Sequence, residues 1–241
     1  MATETVEKPI KEKFAELVEC LRKNDADSAK RFVTYLPELT KYEDDSGRLA
    51  LHWAATGGCL PFIQLILGAE PSLVNKTDES GWTPLMIASS AGRAEVVKYL
   101  LSFSEINVNH RNNNGQSSLQ YACSKSHEEI AKMLIGNGAD LNNQDNYGAS
   151  PLHRATCQGH EKMVRLLVGN KKIKVNVKDR DGNTPLHCAC EDDNESLAIF
   201  LTKNGGDIHM HNKEEKCPLD LAKKSELKKK LVAAAENKVI A

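Results

Sequence analysis

The residues best suited to chemistry in this chain are its eight histidines, three of which stand at one position of a repeated motif. His52, His153 and His187 each follow a leucine, and an imidazole there could act as a general base or bind a metal ion. Equivalent positions one repeat apart are separated by roughly 10 Å, the thickness of a helix layer, so these side chains cannot converge on one metal. We predict instead that each imidazole bonds to backbone at a turn of its own or the next repeat. His209 and His211 are close in sequence but have no third ligand nearby.

The seven cysteines are an odd number without an apolar leader before them, which predicts reduced thiols in the cytosol or nucleus. Cys123, Cys157, Cys188 and Cys190 occupy first-helix positions, where small residues let helices pack. Cys188 and Cys190 are the only close pair in sequence. A zinc site would need four convergent ligands, so we interpret these thiols as packing residues.

The chain contains no phosphate-binding loop, nucleophile elbow or His-Glu-x-x-His motif. Carboxylates cluster at Asp44-Asp45, Asp78-Glu79 and Asp179 with Asp181, which we place at exposed turn tips in contact with solvent. Paired general acids need burial to separate their pKa values, and exposed tips do not provide it. We therefore expect no enzyme activity, no catalytic residues, no metal and no cofactor.

The elements that position these residues recur with a fixed period. Turn glycines precede a Thr-Pro-Leu-His-like helix start at spacings of 34, 34, 33 and 34 residues. They are Gly47, Gly81, Gly115, Gly148 and Gly182. A sixth copy, Glu215-Lys216-Cys217-Pro218-Leu219, has lost the glycine. A second glycine follows the first helix in three copies, as Gly58, Gly92 and Gly159. Ser126 and Asp193 replace it in two others, and we expect turns there that are either strained or differently shaped.

This period and motif resemble ankyrin repeats. In the clearest copy, Thr83 can cap a helix that begins at Pro84 and runs to about Ser90, and a second apolar-faced helix covers 95–101. The expected fold is an all-α ankyrin-repeat solenoid of seven repeats, built from helix-turn-helix units joined by hairpin-like turns. Two linkers, 102–109 and 169–177, are longer than the others, and they are either functional loops or simple length variation.

The predicted repeat domain covers residues 13–235, between a flexible N-terminus (1–12) and a flexible tail (236–241). Residues 14–36 read as two helices broken at Asn24-Asp25 and form the first cap. The last cap carries lysines on its outer side. The predicted boundaries are 13–43 for the N-terminal cap, then 44–77, 78–111, 112–144, 145–178, 179–211, and 212–235 for the C-terminal cap.

The net charge of −1 argues against general nucleic-acid binding, which needs a concentrated basic face. The chain has no apolar run long enough to cross a membrane. We expect a monomer in the cytoplasm and nucleus that binds neither nucleic acid nor membrane.

The surface that an ankyrin solenoid offers to a partner is a concave face built by turn tips and first helices. Residues beside each turn glycine should point toward it, and aromatic and arginine side chains are enriched in binding hot spots. Trp82 and Tyr147 are the aromatic candidates, while Trp53 lies in a first helix, where it packs or contacts a partner. From position, the predicted partner-binding residues are Asp45, Arg48, Trp53, Glu79, Trp82 and Tyr147.

Several stretches resemble the gankyrin family of proteasome non-ATPase regulatory subunits, which have seven ankyrin repeats. Ala50-Leu51-His52-Trp53-Ala54 and Asn212-Lys213-Glu214-Glu215-Lys216 are the more specific matches, and the resemblance covers about 14–235. It implies a chaperone for the 19S regulatory particle of the 26S proteasome that grips the C-terminal domain of one proteasomal AAA ATPase subunit. Under this resemblance Arg48 and Lys125 are basic contacts, while Asp45 and Glu79 meet basic residues of the ATPase. The resemblance also places Arg93 along the same face, with Trp53, Trp82 and Tyr147, so that Arg93 and Lys125 join the predicted partner-binding residues.

One stretch departs from the family. Animal gankyrins can carry Leu-x-Cys-x-Glu, a retinoblastoma-binding motif, in the sixth repeat, where this chain has Cys188-Ala189-Cys190-Glu191-Asp192. The changed leucine and glutamate make retinoblastoma binding doubtful. The alternative function is that of a generic ankyrin adaptor, which would regulate a kinase or a transcription factor through the same face.

Overall fold

The computed structural model describes residues 9–236, and every regular element in this part of the chain is helical. Fourteen α-helices form seven successive pairs, which we number as repeats 1 to 7. The pairs are α1 (Ile10–Arg22) and α2 (Ala26–Tyr35), α3 (Ala50–Gly57) and α4 (Leu60–Ala69), α5 (Pro84–Ser90) and α6 (Ala94–Leu100), α7 (Ser118–Ser124) and α8 (Glu128–Gly136), α9 (Pro151–Cys157) and α10 (Glu161–Val168), α11 (Pro185–Glu191) and α12 (Glu195–Lys203), and α13 (Pro218–Leu221) and α14 (Ser225–Glu236). Short 3-10 helices, Pro37–Thr40 and Pro71–Asn75, follow repeats 1 and 2. The all-α repeat prediction is confirmed.

The described residues fall into two compact units, one ending at Asn113 and the other beginning at Asn114. In unit 1, α1 packs against α3 and α3 against α5. In unit 2, α7 packs against α9, α9 against α11, and α11 against α13. Each unit is thus a stack of first helices, and its core is a row of small and branched side chains such as Ala54, Leu152 and Ala189. A leucine buried this completely contributes roughly 1.5–3 kcal/mol of transfer free energy.

The first helices begin as the sequence predicts. The Thr83 side chain accepts a hydrogen bond from the Met86 backbone N–H, and Pro84 is the first residue of α5. A hydroxyl cap satisfies one of the N–H groups that have no partner within the helix, and proline lacks the N–H that would otherwise be unpaired there. The predicted end of this helix at Ser90 is confirmed.

The turns between the paired helices need a left-handed residue even where glycine is missing. Ser126 and Asp193 have φ values of 58° and 55°, beside 72° for Gly92 in the equivalent turn. Glu215, in the copy that lost its turn glycine, has φ 59°. A side chain in this region costs roughly 1–2 kcal/mol, which confirms the expected strain in the turns at Ser126 and Asp193.

The terminal repeats differ from the predicted boundaries by a few residues. Helix α1 begins at Ile10, so residues 10–12 belong to repeat 1 rather than to the segment before it. The Pro9 carbonyl accepts hydrogen bonds from Glu12 and Lys13, which starts the helix earlier than its apolar pattern indicates. The predicted break is confirmed, with Asn24 at φ 59° and Asp25 capping α2. Residues 1–8 and 237–241 lie outside the described residues.

In three repeats, an asparagine after the second helix is hydrogen-bonded to the linker that follows the second helix of the next repeat. Asn75 donates from its amide to the Glu105 carbonyl at 2.6 Å and accepts from the Asn107 N–H at 2.9 Å. Asn142 makes the same pair of bonds with Lys172 and Lys174. The backbone of each of the two longer linkers is therefore hydrogen-bonded to an asparagine side chain of the preceding repeat.

Candidate functional site

In repeats 2, 3, 5 and 6 a carboxylate opens the turn that precedes the first helix, and it bonds to the backbone of the turn. One oxygen of Asp145 accepts hydrogen bonds from the N–H groups of Tyr147 (2.9 Å) and Ala149 (3.1 Å). Asp44 and Asp179 make the equivalent pairs of bonds, and Asp78 accepts from the Trp82 N–H at 2.8 Å. The placement of Asp78 at a solvated tip is wrong, because its side chain is only 1% exposed.

The second oxygen of these carboxylates has a different partner in each repeat. The Trp53 indole N–H donates to Asp44 at 2.8 Å, nine residues away. Arg154 stands at the same distance in sequence from Asp145 and donates to it through Nε at 3.2 Å. Asp78 instead takes the Nε of Arg48, from the preceding repeat, at 2.9 Å. The backbone of the turn thus repeats while the side chain beside it varies.

The repeated histidines are structural, as the sequence predicts. In His153, Nδ1 accepts from the Ser150 backbone N–H at 3.1 Å, and Nε2 lies 3.0 Å from the Asn183 carbonyl of the next repeat. His187 makes the equivalent bonds, and His52 also accepts from the Leu49 N–H, but its Nε2 lies 3.0 Å from the Lys76 carbonyl, which stands earlier than the equivalent position. This pattern requires a neutral ring with its proton on Nε2, and burial lowers the pKa of all three imidazoles.

Glutamine at the equivalent position in repeat 4 makes both bonds. The Gln120 side-chain oxygen accepts from the Ser117 N–H at 3.0 Å, and its amide donates to the Ala149 carbonyl at 2.7 Å. An uncharged side chain is therefore sufficient at this position. The role of these residues is to join neighbouring repeats.

Three of the predicted partner-binding residues in unit 1 are bonded to turns of the scaffold. Arg48 pairs with buried Asp78, and its guanidinium carbon lies 5.2 Å from the centre of the Trp53 ring. Trp53 is half-buried and bonded to Asp44. Arg93 donates from Nε to the Thr56 carbonyl at 2.9 Å and so bridges two turns. Each of these side chains therefore supports the fold, whatever else it contacts.

The other predicted residues of unit 1 stand at turn tips. Asp45 is exposed and its carboxylate pairs with Lys11 at 2.7 Å. Glu79 is exposed, with its backbone N–H donating to Ser46, and Trp82 is half-buried. These side chains provide a mixed-charge surface with one aromatic group.

In unit 2 the predicted residues Lys125 and Tyr147 are both exposed, and Tyr147 has 66% of its surface in solvent. Tyr147 borders a groove of about 510 Å³. The groove is also lined by Arg154, Arg180 and Asp181. An exposed aromatic ring among charges of both signs is typical of a protein-binding surface.

Arg180 and Asp181 stand beside a turn glycine, so the sequence predicts that they point toward the binding face, whereas Arg154 is not among the predicted residues; all three line this groove. Their signal in the sequence was positional. Arg180 and Asp181 flank a turn glycine, and Arg154 stands where repeat 2 has Trp53. Comparing the same position across copies identifies Arg154 as well.

Within residues 9–236 no three histidine, cysteine or acidic side chains lie close enough to hold a metal ion. No helix in the same range is long and apolar enough to cross a membrane. The repeated histidines use both ring nitrogens for backbone bonds, so none of the three offers a free base or ligand.

Comparison with known proteins identifies the repeat family. The family model described as "Ankyrin repeats (3 copies)" matches residues 51–145, 103–179 and 137–212. Oxysterol-binding protein-related protein 1 of Homo sapiens is 46% identical over 66 residues, 27% of this chain and 7% of that protein. Its Mus musculus counterpart is 42% identical over 66 residues, with the same coverage. The chain thus matches only a small part of these relatives' length.

Two solved structures share the fold. The ankyrin repeat domain of Bcl-3, a member of the IkappaB protein family, has a TM-score of 0.77 and 23% identity, covering 90% of this chain and 97% of that one. The human ASB11 ankyrin repeat domain has a TM-score of 0.77 and 24% identity, covering 90% and 96%. At these identities the likeness shows the fold alone.

Proposed function

The chain belongs to the ankyrin-repeat family, which indicates a protein-binding scaffold, and from this premise we propose that its client is the C-terminal domain of a proteasomal ATPase subunit. In this proposal the chain acts as a chaperone during assembly of the 19S regulatory particle and releases the ATPase afterwards. It would work in the cytoplasm and nucleus. The choice of client is supported by the stretches that resemble the gankyrin family, Ala50-Leu51-His52-Trp53-Ala54 above all.

The observation that carries the binding role is the contrast between repeated and variable residues. The residues that recur in each copy are buried and bonded to backbone, as His153 and Ser150 are. The residues that differ between copies stand at the turn tips, where Tyr147 is 66% exposed. The repeated polar groups are hydrogen-bonded within the scaffold, so it is the variable groups that are available to a partner.

The charges of the surface suit a folded domain with charges of both signs. In unit 1, Asp45 and Glu79 are exposed acidic groups. In unit 2, Lys125 and Arg180 are exposed basic groups, and Arg180 lines the groove that Tyr147 borders. Rim charges of this kind mainly set orientation and association rate, while the aromatic contact contributes affinity.

Arg48 contributes to this surface differently from the other predicted contacts. Its guanidinium is held by Asp78, whose side chain is 1% exposed, so a substitution at Arg48 leaves a buried carboxylate unpaired. We therefore propose that Arg48 holds its turn of unit 1 in place, and that Tyr147 and Lys125 of unit 2 contact the client. Retinoblastoma protein is not a proposed partner, because Cys190, which aligns with the cysteine of that motif, is fully buried in α11.

The test is capture from cell lysate with the full chain as bait, followed by titration with each purified ATPase C-terminal domain. We expect one ATPase subunit, without assembled 20S core, and direct binding of its C-terminal domain. Recovery of assembled core without ATPase intermediates would contradict the chaperone role. If a kinase or transcription factor binds the surface while every ATPase domain fails, the adaptor function replaces our proposal.

A further inference from the structure

Two thiols from neighbouring repeats meet in the groove of unit 2. Cys157 is the last residue of α9 and is exposed, while Cys188 lies in the first turn of α11 and is half-buried. Helix α9 packs against α11, and both side chains line the groove of about 510 Å³. The residues are 31 positions apart in the sequence, yet the two thiols lie close enough in the groove for each to alter the pKa of the other.

The surroundings shift the pKa values of the two thiols in opposite directions. The hydrogen bond from Cys188, helped by the Arg154 guanidinium, holds the pKa of Cys157 below its usual value, against burial, Asp192 and Asp179. The same contact, together with burial and the carboxylates of Asp179 and Asp192, raises the pKa of Cys188. Cys157 is also the exposed member of the pair, and since an accessible thiolate is the reactive form, we assign it as the nucleophile.

The other thiols of the described residues lack this combination. Cys123 and Cys59 are fully buried, and burial raises the pKa of each. Burial also raises the pKa of Cys190 to about 12. Cys20 is half-buried with a raised pKa, and Cys217 is buried. The pair that is close in sequence, Cys188 and Cys190, is thus less suited to reaction than the pair that is close in space.

We propose that Cys157 and Cys188 form a reversible dithiol–disulfide site that is oxidised by a peroxide. Adjacent position, unequal reactivity and an open groove are what a nucleophilic thiol and its resolving partner require. The inference concerns these two side chains and does not depend on the identity of the client.

The chemistry balances in two steps. The Cys157 thiolate attacks one peroxide oxygen, the O–O bond breaks, and the departing oxygen takes a proton to leave as water when the oxidant is hydrogen peroxide. The Cys188 sulfur then attacks the sulfenic acid sulfur of Cys157, forming the S–S bond. The hydroxide displaced from Cys157 takes the Cys188 proton and leaves as a second water. The two cysteines lose two electrons and the peroxide gains them.

The disulfide would link α9 to α11 beside Tyr147 and Arg180. A covalent bond there fixes the spacing of two first helices at the groove. Oxidation would therefore alter the same surface that the reduced protein offers to a partner.

The experiment treats the reduced full chain with hydrogen peroxide, denatures it and counts free thiols. We expect seven thiols before treatment and five after it, because two of the seven are consumed. Peptide mass spectrometry should place the bond between Cys157 and Cys188, and dithiothreitol should restore all seven thiols. A bond elsewhere, or oxidation without any Cys157–Cys188 peptide, overturns the proposal.

Three variants make the assignment specific. Cys157→Ser and Cys188→Ser should each abolish the intramolecular bond, whereas the matched control Cys20→Ser should still lose two thiols. Circular dichroism checks that each variant is folded. In Cys188→Ser, a sulfenic-acid reagent such as dimedone should label Cys157. Labelling of Cys188 in Cys157→Ser but no labelling of Cys157 in Cys188→Ser would reverse the roles and contradict the assignment of the nucleophile.

Discussion

The turns that open repeats 2 and 5 have the same backbone bonds but different side chains against them. In repeat 2 the carboxylate of Asp44 holds the Trp53 indole, while in repeat 5 the carboxylate of Asp145 holds Arg154. Asp145 has a fully buried side chain, and Asp44 is half-buried. The position nine residues after the aspartate is therefore where the scaffold admits variation without changing the turn.

The consequences for the surface differ between these turns. In repeat 2 the guanidinium groups of Arg22 and Arg48 each lie 5.2 Å from the centre of the Trp53 ring, so this aromatic group is occupied within the chain. In repeat 5, Arg154 is drawn onto Asp145, and Tyr147 remains exposed. In repeat 6 the corresponding residue is Cys188, which contacts Cys157 instead. The position nine residues after the turn aspartate thus holds a packed indole ring in repeat 2, an ion-paired arginine in repeat 5 and a thiol in repeat 6.

The largest effect is expected from removing the carboxylates themselves. Asp145→Ala leaves two backbone N–H groups and Arg154 without an acceptor, which should lower the free energy of unfolding by about 3–5 kcal/mol. Asp44→Ala removes equivalent backbone bonds at a more exposed site, so we expect a loss of about 1–2 kcal/mol. Urea denaturation monitored by circular dichroism measures both.

The control for this pair is Asp145→Asn, which keeps an acceptor for the backbone and removes the charge that faces Arg154. Asn112 occupies the corresponding position in repeat 4, so the turn accepts an amide. We expect an intermediate loss. Equal losses for Asp145→Ala and Asp44→Ala would show that the difference in burial has no energetic consequence.

A smaller effect should come from replacing a repeated histidine by the glutamine found in repeat 4. Burial lowers the pKa of His153 in the folded state, so between that value and about 6.5 only the unfolded chain binds the proton. The contribution of neutral His153 to the free energy of unfolding is fully present above pH 6.5. It falls as the pH drops, with a limiting slope of about 1.4 kcal/mol per pH unit for one site. His153→Gln should remove this pH dependence.

The measurement is the free energy of unfolding of wild type and His153→Gln from pH 7.5 to 5. Near pH 7.5 we expect the two proteins to differ by less than about 1 kcal/mol, since glutamine can make both backbone bonds. At pH 5 the variant should have lost less stability than the wild type. An identical pH dependence would mean that His153 is not held neutral by its burial.

The smallest effect is expected at the exposed pair of Lys11 and Asp45. Both side chains are mostly in solvent, and such pairs contribute little because water and salt screen them. Asp45→Ala should leave the midpoint of urea denaturation unchanged within error at physiological salt. A clear decrease would assign this predicted contact residue a structural role and weaken its place on the binding surface.

Much of the scaffold could be predicted from the sequence because its determinants are local. The turn glycines, the Thr83 cap and the proline helix starts act within a few residues of themselves. The backbone bonding of His52, His153 and His187 was predicted because the period excludes a shared metal site. Even the strained turns at Ser126 and Asp193 follow from the absence of a glycine at a known position.

The candidate surface was less predictable because it depends on which side chains meet between repeats. Nothing local to Arg48 indicates that it reaches Asp78, 30 residues later. The contact between Cys157 and Cys188 likewise depends on how α9 stacks on α11. The sequence gives the type of each residue. It does not show whether the functional group of that residue is already bonded to another part of the chain.

The central claim is that the exposed, variable turn residues bind the client while the repeated residues hold the scaffold. The most direct test is calorimetric titration of a proteasomal ATPase C-terminal domain into Tyr147→Ala and into the control Tyr35→Ala. Tyr35 is 81% exposed but lies in α2, outside the predicted surface. We predict that Tyr147→Ala weakens binding by roughly thirtyfold, the effect of a 2 kcal/mol hot spot, and that Tyr35→Ala binds as wild type does. Equal affinities for the two variants would contradict the account.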